Sequence, residues 1–145
     1  MFKHLLLPTD GSALSEASFR KGIEIAKENN ARVTGLCVIP QFHIFTYHAE
    51  MLEETNEQHS RDSQAHAERY LKAIEREAKD WGVACEVVSV ASDHPYEVII
   101  KTAEEKKCDL IVMASHGRKG LQATLIGSET QKVLTHCLIP VLVYR

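Results

Sequence analysis

Apolar runs and amphipathic stretches alternate along the chain. "KHLLLPT" at 3–9 is a short apolar run closed by a turn signal, and it predicts a buried strand. In "DGSALSEASFRKGIEIAKENN", Asp10, Gly11 and Ser12 supply turn and cap chemistry. Leu14, Phe19, Gly22, Ile25 and Ala26 follow at helical spacing and predict a core-facing arc. "RVTGLCVIP" predicts a second strand stopped by Pro40. Residues 41–49 are aromatic-rich and irregular. A long helix is expected from about Glu50 to Trp81, with Ala67, Leu71, Ile74, Ala78 and Trp81 as its core face and Gly82 as its stop. "VACEVVSVA" predicts a third strand. "SDHPYEVIIKTAEEKKC" predicts a helix, with Ser92 or Asp93 near its cap and Pro95 in its first turn. "DLIVMAS" is a fourth strand, a helix is expected over Ser128–His136, and "IPVLVYR" is a fifth strand.

The strand segments are apolar without strict alternation, as expected of a parallel sheet covered on both faces. The predicted architecture is one doubly wound α/β domain over residues 1–145. Its five-stranded parallel sheet is taken in the common order 3-2-1-4-5, with helices on both faces. In such sheets ligands bind beyond the carboxyl ends of the strands, where strand order reverses. Here that point lies between strands 1 and 4, and it brings together "PTDGS" (8–12) and "ASHGRKG…IGS" (114–128).

The charge balance narrows the function. At 145 residues and a formal net charge of −3, the chain is not built chiefly to neutralise nucleic-acid phosphates. No apolar run approaches the length of a membrane span, and the amino terminus does not read as a secretory signal, so a cytoplasmic location is expected. Cys37, Cys85, Cys108 and Cys137 form no CxxC pair and read as small core residues. His59 and His66 are two helical turns apart, too far for one metal ion, and His43 and His48 lie in the irregular stretch.

The loop after the fourth strand carries more chemistry. Glycines let backbone N–H groups approach an anion closely, and Gly127-Ser128 opens a helix whose amino end favours negative charge. Ser128 can bond a phosphate or cap its own helix. Asp10 can form an Asx-turn and also serve a ligand. His116, Arg118 and Lys119 can reach phosphates, although exposed basic loop residues are common. Neither GxxxxGK-S/T nor GxGxxG is present, which removes P-loop and dinucleotide fingerprints.

"LLLPTDGS", "DLIVMASHGRKGLQATLIGSETQKVL" and "IPVLVYR" together resemble the universal stress protein (UspA-like) family over essentially the whole chain. Nucleotide-binding members carry G-x2-G-x9-G-S/T. Gly117, Gly127 and Ser128 match it, and Ala114 stands at the first glycine position. The resemblance implies an adenine-nucleotide site for ATP or AMP. Ala114, Gly117, Gly127 and Ser128 are then expected along ribose and phosphates, flanked by Met113, His116, Arg118 and the Glu129 backbone. Asp10, after Pro8 and Thr9, is expected near adenine or ribose, and Val38 at the adenine edge. Mg²⁺ could accompany ATP, with Asp10 as a ligand. The family also implies a homodimer through the last strand, here 139–144. Two other functions remain open: a slow ATPase or nucleotidyl or phosphoryl transferase using His116 or Asp10, and a ligand-free dimeric interaction protein. A phospho-receiver is disfavoured, because strand 1 ends in the single Asp10.

Overall fold

The computed structural model describes residues 1–41, 49–116 and 126–145, and for 49–56 the backbone only. These residues form β1 (His4–Thr9), α1 (Ala13–Glu28), β2 (Arg32–Ile39), α2 (Ala49–Trp81), β3 (Cys85–Ala91), α3 (Pro95–Glu105), β4 (Leu110–Ala114), α4 (Ser128–His136) and β5 (Val141–Tyr144). The five strands are all parallel, as the pattern predicts, and lie in the common order β3-β2-β1-β4-β5 that the resemblance implies.

Side-chain alternation along the strands divides the interior in two. Leu5, Leu7, Val33, Cys37, Leu110 and Val112 face α1 and α2, where Phe19, Ile23, Ala26, Ala67, Leu71, Ile74 and Ala78 meet them. Leu6, Leu36, Ile111 and Met113 face α3 and α4, against Ile99, Ala103 and Val133. A strand covered on both faces has no polar side, which explains the unbroken "LLL" and "LIVM" runs.

Two details depart from the periodicity. On α1, Leu14 and Ile25 are half-buried, and the inward face instead holds Ser15, Ser18, Phe19, Gly22, Ile23 and Ala26. On α2, Trp81 is 41% exposed. The helix ends there, and the indole N–H donates to Glu77 Oε1 at 3.1 Å on the outer side.

Three helices end in the same way. Asn30, Gly82 and Lys107 have φ of 52°, 66° and 55°. The N–H groups of Ala31, Val83 and Cys108 then reach back to the carbonyls of Ala26, Ala78 and Ala103, each at 2.8 Å. This is the Schellman arrangement, with the following residue turned inward. Ala31, Val83 and Cys108 are all buried, and a strand begins one or two residues later. Helix stop, core contact and strand start thus occupy three or four residues. None of the four cysteines is in a disulfide. Burial pushes the Cys85 and Cys108 thiols up to about 11 and about 12, so they stay protonated and unreactive at neutral pH.

A polar cluster sits at the amino ends of the strands. His4 is 3% exposed. Its Nδ1 lies 3.0 Å from the Lys106 carbonyl oxygen and its Nε2 2.7 Å from Thr34 Oγ1. Glu86 closes the cluster, with Oε1 3.0 Å from Thr34 Oγ1 and Oε2 accepting from Lys106 Nζ at 3.0 Å. Burial, reinforced by the Arg32 charge, lowers the His4 pKa from its ordinary value. The folded state therefore binds a proton less readily than the unfolded chain. The stability held by neutral His4 is complete above the ordinary histidine pKa of about 6.5 and is lost as pH falls through the lowered value. Urea midpoints between pH 7 and 5 should fall more steeply for the wild type than for His4→Gln. Equal slopes would contradict this role.

Candidate functional site

The ladder between β1 and β4 is the shortest in the sheet. Between β1 and β4 the register pairs Leu5 with Leu110 and Leu6 with Ile111. β1 goes on pairing β2 as far as Thr9–Cys37, and β4 goes on pairing β5 as far as Ala114–Tyr144. Beyond Leu6 and Ile111 the two central strands are thus joined to their outer neighbours and not to each other. Pro8 lies in this stretch and has no N–H to give. This is the switch point of the sheet, where folds of this kind hold a ligand in a crevice whose two lips are the carboxyl ends of β1 and β4.

The β1 lip is a pinned turn. Thr9 is buried, and its Oγ1 lies 3.1 Å from Ser15 Oγ and accepts from Gly11 N–H at 3.2 Å. Asp10 is exposed, and its Oδ1 accepts from Ser12 N–H at 2.9 Å, an Asx-turn. Gly11 has φ +79°, which allows the chain to double back at low cost. Ser12 is the cap of α1, accepting from Ser15 N–H at 3.2 Å. The register places Val38, half-buried near the end of β2, one step beyond the Thr9–Cys37 pair and so level with Asp10.

On the β4 lip, the Met113 side chain is buried in the α3–α4 core. Ala114 is half-buried, and its carbonyl accepts from Thr130 Oγ1 at 2.8 Å. The Ser115 N–H donates to the Tyr144 carbonyl at 2.7 Å, and the Ser115 carbonyl accepts from Gly127 N–H. Ser115 Oγ lies 3.1 Å from Nδ1 of half-buried His116. These bonds fasten the first turn of α4 to the end of β4. A Cβ on Gly127 would stand 2.9 Å from His116 Cα and 3.0 Å from the Ser115 oxygen, so this approach requires glycine. Gly127 is the N-cap of α4 and Ser128 its first residue, so the exposed Ser128 hydroxyl does not serve as the cap. The first N–H groups of a helix lack intrahelical partners and attract anions.

Glu129 has a structural duty. Its Oε2 accepts from Tyr96 N–H at 2.9 Å, in the first turn of α3, and its Oε1 lies 3.3 Å from Lys132 Nζ. The N-cap of α3 is His94, whose side chain makes no capping bond. Ser92 Oγ instead accepts from His94 N–H, and Asp93 Oδ1 from Gln41 N–H. Gly117, Arg118, Lys119 and Gly120 lie outside the described residues, as do His43 and His48. Among the described residues no group of three or more His, Cys, Asp or Glu side chains could hold a metal ion. Nor is any helix there long and apolar enough to cross a membrane. Ser115 and Thr130 were not singled out by the sequence. A polar residue directly after an apolar strand was the available signal for Ser115.

Comparison with known proteins agrees with this architecture. The universal stress protein family matches residues 1–145. Universal stress protein MJ0531 of Methanocaldococcus jannaschii is 32% identical over 145 residues, covering 100% of this chain and 83% of that protein. The solved structure of hypothetical protein MJ0577 is 30% identical with a TM-score of 0.84, over 99% of this chain and 96% of that one. A universal stress protein solved in complex with cAMP shares the fold at 22% identity and a TM-score of 0.72, over 99% and 97% of the two chains. With its sheet order, switch-point crevice and full-length match, the chain belongs to the universal stress protein family.

Proposed function

We propose that this chain is an adenine-nucleotide-binding module of the universal stress class, taking ATP or AMP in the crevice between β1 and β4. It responds to stress through its nucleotide-bound state and not through turnover. The observation that carries this reading is the early end of the β1–β4 ladder, with a pinned acidic turn on one lip and a helix amino end on the other. Asp10 and the Val38 backbone are assigned to the adenosine end. The Met113 and Ala114 backbone, His116, Gly117, Gly127 and Ser128 are assigned to ribose and phosphates, with Arg118 and the Glu129 N–H beside them. Pro8 and Thr9 shape the floor. Mg²⁺ would arrive with the phosphates, and Asp10 is its candidate protein ligand. The neighbour bound to cAMP supports an adenine ligand in this fold.

The reading extends to a homodimer through β5. This strand is a sheet edge, and edge strands are usually covered. Beside it, Leu138 is fully exposed and Leu134 is 42% exposed.

Three measurements test these assignments. Protein denatured after purification should release adenine nucleotide, and saturation to 100-fold its Kd should add about 2.7 kcal/mol of stability. No release and no thermal shift with ATP-Mg²⁺ or AMP would refute the site. Gly127→Ala should cost about 1–3 kcal/mol from overpacking and also weaken nucleotide binding. Lost stability with unchanged affinity would mean the glycine serves only the fold. Leu138→Asp should move the sedimentation coefficient from dimer to monomer; an unchanged wild-type dimer would place the interface elsewhere.

A further inference from the structure

The turn that carries Asp10 is held from outside as well as from within. Tyr70 of α2 reaches over it. A Cβ on Gly11 would overlap Tyr70 Cζ and Cε1 and stand 2.6 Å from Cε2, so the hydroxyl end of the ring lies directly against the Gly11 backbone. The ring is itself well fixed. Ala67 and Leu71, on either side of Tyr70 along α2, are 1% and 6% exposed and lock the helix onto the sheet. Tyr70 is half-buried and packs against that same core. It also stacks on His66, one turn earlier, with ring centroids 6.2 Å apart and planes 15° apart.

A glycine at positive φ is the most pliable point of a turn, because no Cβ limits it. Here a rigid aromatic ring covers that point. With Thr9 Oγ1 and Asp10 Oδ1 bonding the turn from inside, the ring leaves it one position. We propose that Tyr70 is a positioning residue of the nucleotide site. Its ring sets the Asp10–Gly11–Ser12 turn, and hence the Asp10 carboxylate, at the mouth of the β1–β4 crevice. The inference rests on the nucleotide reading above. It adds a residue from α2, an element that contributes nothing else described to the crevice. It also makes the Tyr70 ring a reporter of occupancy, since a ligand held by Asp10 bears on the turn beneath the ring.

The test uses AMP, ATP and full-length protein. Tyr70→Leu keeps apolar bulk on the core, Tyr70→Ala removes it, and Tyr70→Phe keeps the ring. Binding is read by calorimetry on folded protein, with urea midpoints measured in parallel. The Leu and Ala variants should lose about tenfold or more in affinity, as expected when a binding group is misplaced, and both should lose more than Phe, which keeps the ring. In wild type labelled with 3-fluorotyrosine, the Tyr70 resonance, assigned through Tyr70→Phe, should shift on saturation with AMP. A lower urea midpoint with unchanged affinity in Tyr70→Leu would overturn the proposal, and so would a Tyr70 resonance unmoved by bound AMP. A wild type that binds neither nucleotide would instead remove the underlying reading, and the positioning role with it. If Tyr70→Ala does not fold, Tyr70→Leu and the labelled wild type decide the matter.

Discussion

Parallel strands can lie side by side only when a long crossover joins them, and β1 meets this condition on both sides at once. Its partners β2 and β4 are reached by different routes. One passes through α1 on one face of the sheet, and the other arrives through α3 on the opposite face. β1 therefore carries both cores, with Leu5 and Leu7 directed to one and Leu6 to the other. The chain goes from β1 into α1 on one face of the sheet and from β4 to α4 on the other. Together with the short β1–β4 ladder, this gives the sheet its crevice. The site follows from the topology before any particular side chain is considered.

The polar groups around the crevice are largely engaged in building it. Thr9 and Asp10 hold the first turn, and Thr130 and Gly127 bolt α4 to β4. Glu129 satisfies an N–H at the start of α3 and so ties the two helices of one face together. Such bonds cost conformational freedom once, on folding, and then leave backbone donors at fixed positions. Preorganisation of this kind favours a ligand that is recognised through backbone and helix ends.

Much of the fold was legible because each strand is buried on both faces. "LLLPT" and "DLIVMAS" read as strands with no help from context, and Gly82 and Pro95 marked helix ends by their own chemistry. Other features depend on tertiary contact and left no sequence signal. Lys107 takes a left-handed conformation because Cys108 behind it is drawn into the core. Trp81 fits the spacing of the α2 core face, yet the helix stops under it and Val83 takes the buried position. Tyr70 is three residues from Ala67 and four from Ile74 and so shares the α2 core face, but spacing could not show that its ring covers Gly11. On the site, Asp10 and Gly127 were identifiable by residue type and position. The role of Thr130 emerges only when the ends of β4 and α4 are brought together, and the capping role of Glu129 only when α4 meets the start of α3.

The alanine at position 114 can be judged on the same footing. A motif glycine can be needed for left-handed backbone, for close approach, or for neither. Ala114 is the last residue of β4 and pairs with Tyr144 in regular extended register. It is not among the residues at positive φ, and its carbonyl is used by Thr130 in a bond indifferent to the side chain. Alanine therefore carries no backbone strain there, and its methyl follows the strand alternation to the side opposite Met113. Gly127 is the opposite case, since any Cβ would press on the backbone of Ser115 and His116. The two motif positions thus do different physical work. The one that joins α4 to β4 tolerates no side chain, and the one that departs from the family pattern lies where the chain can accommodate it.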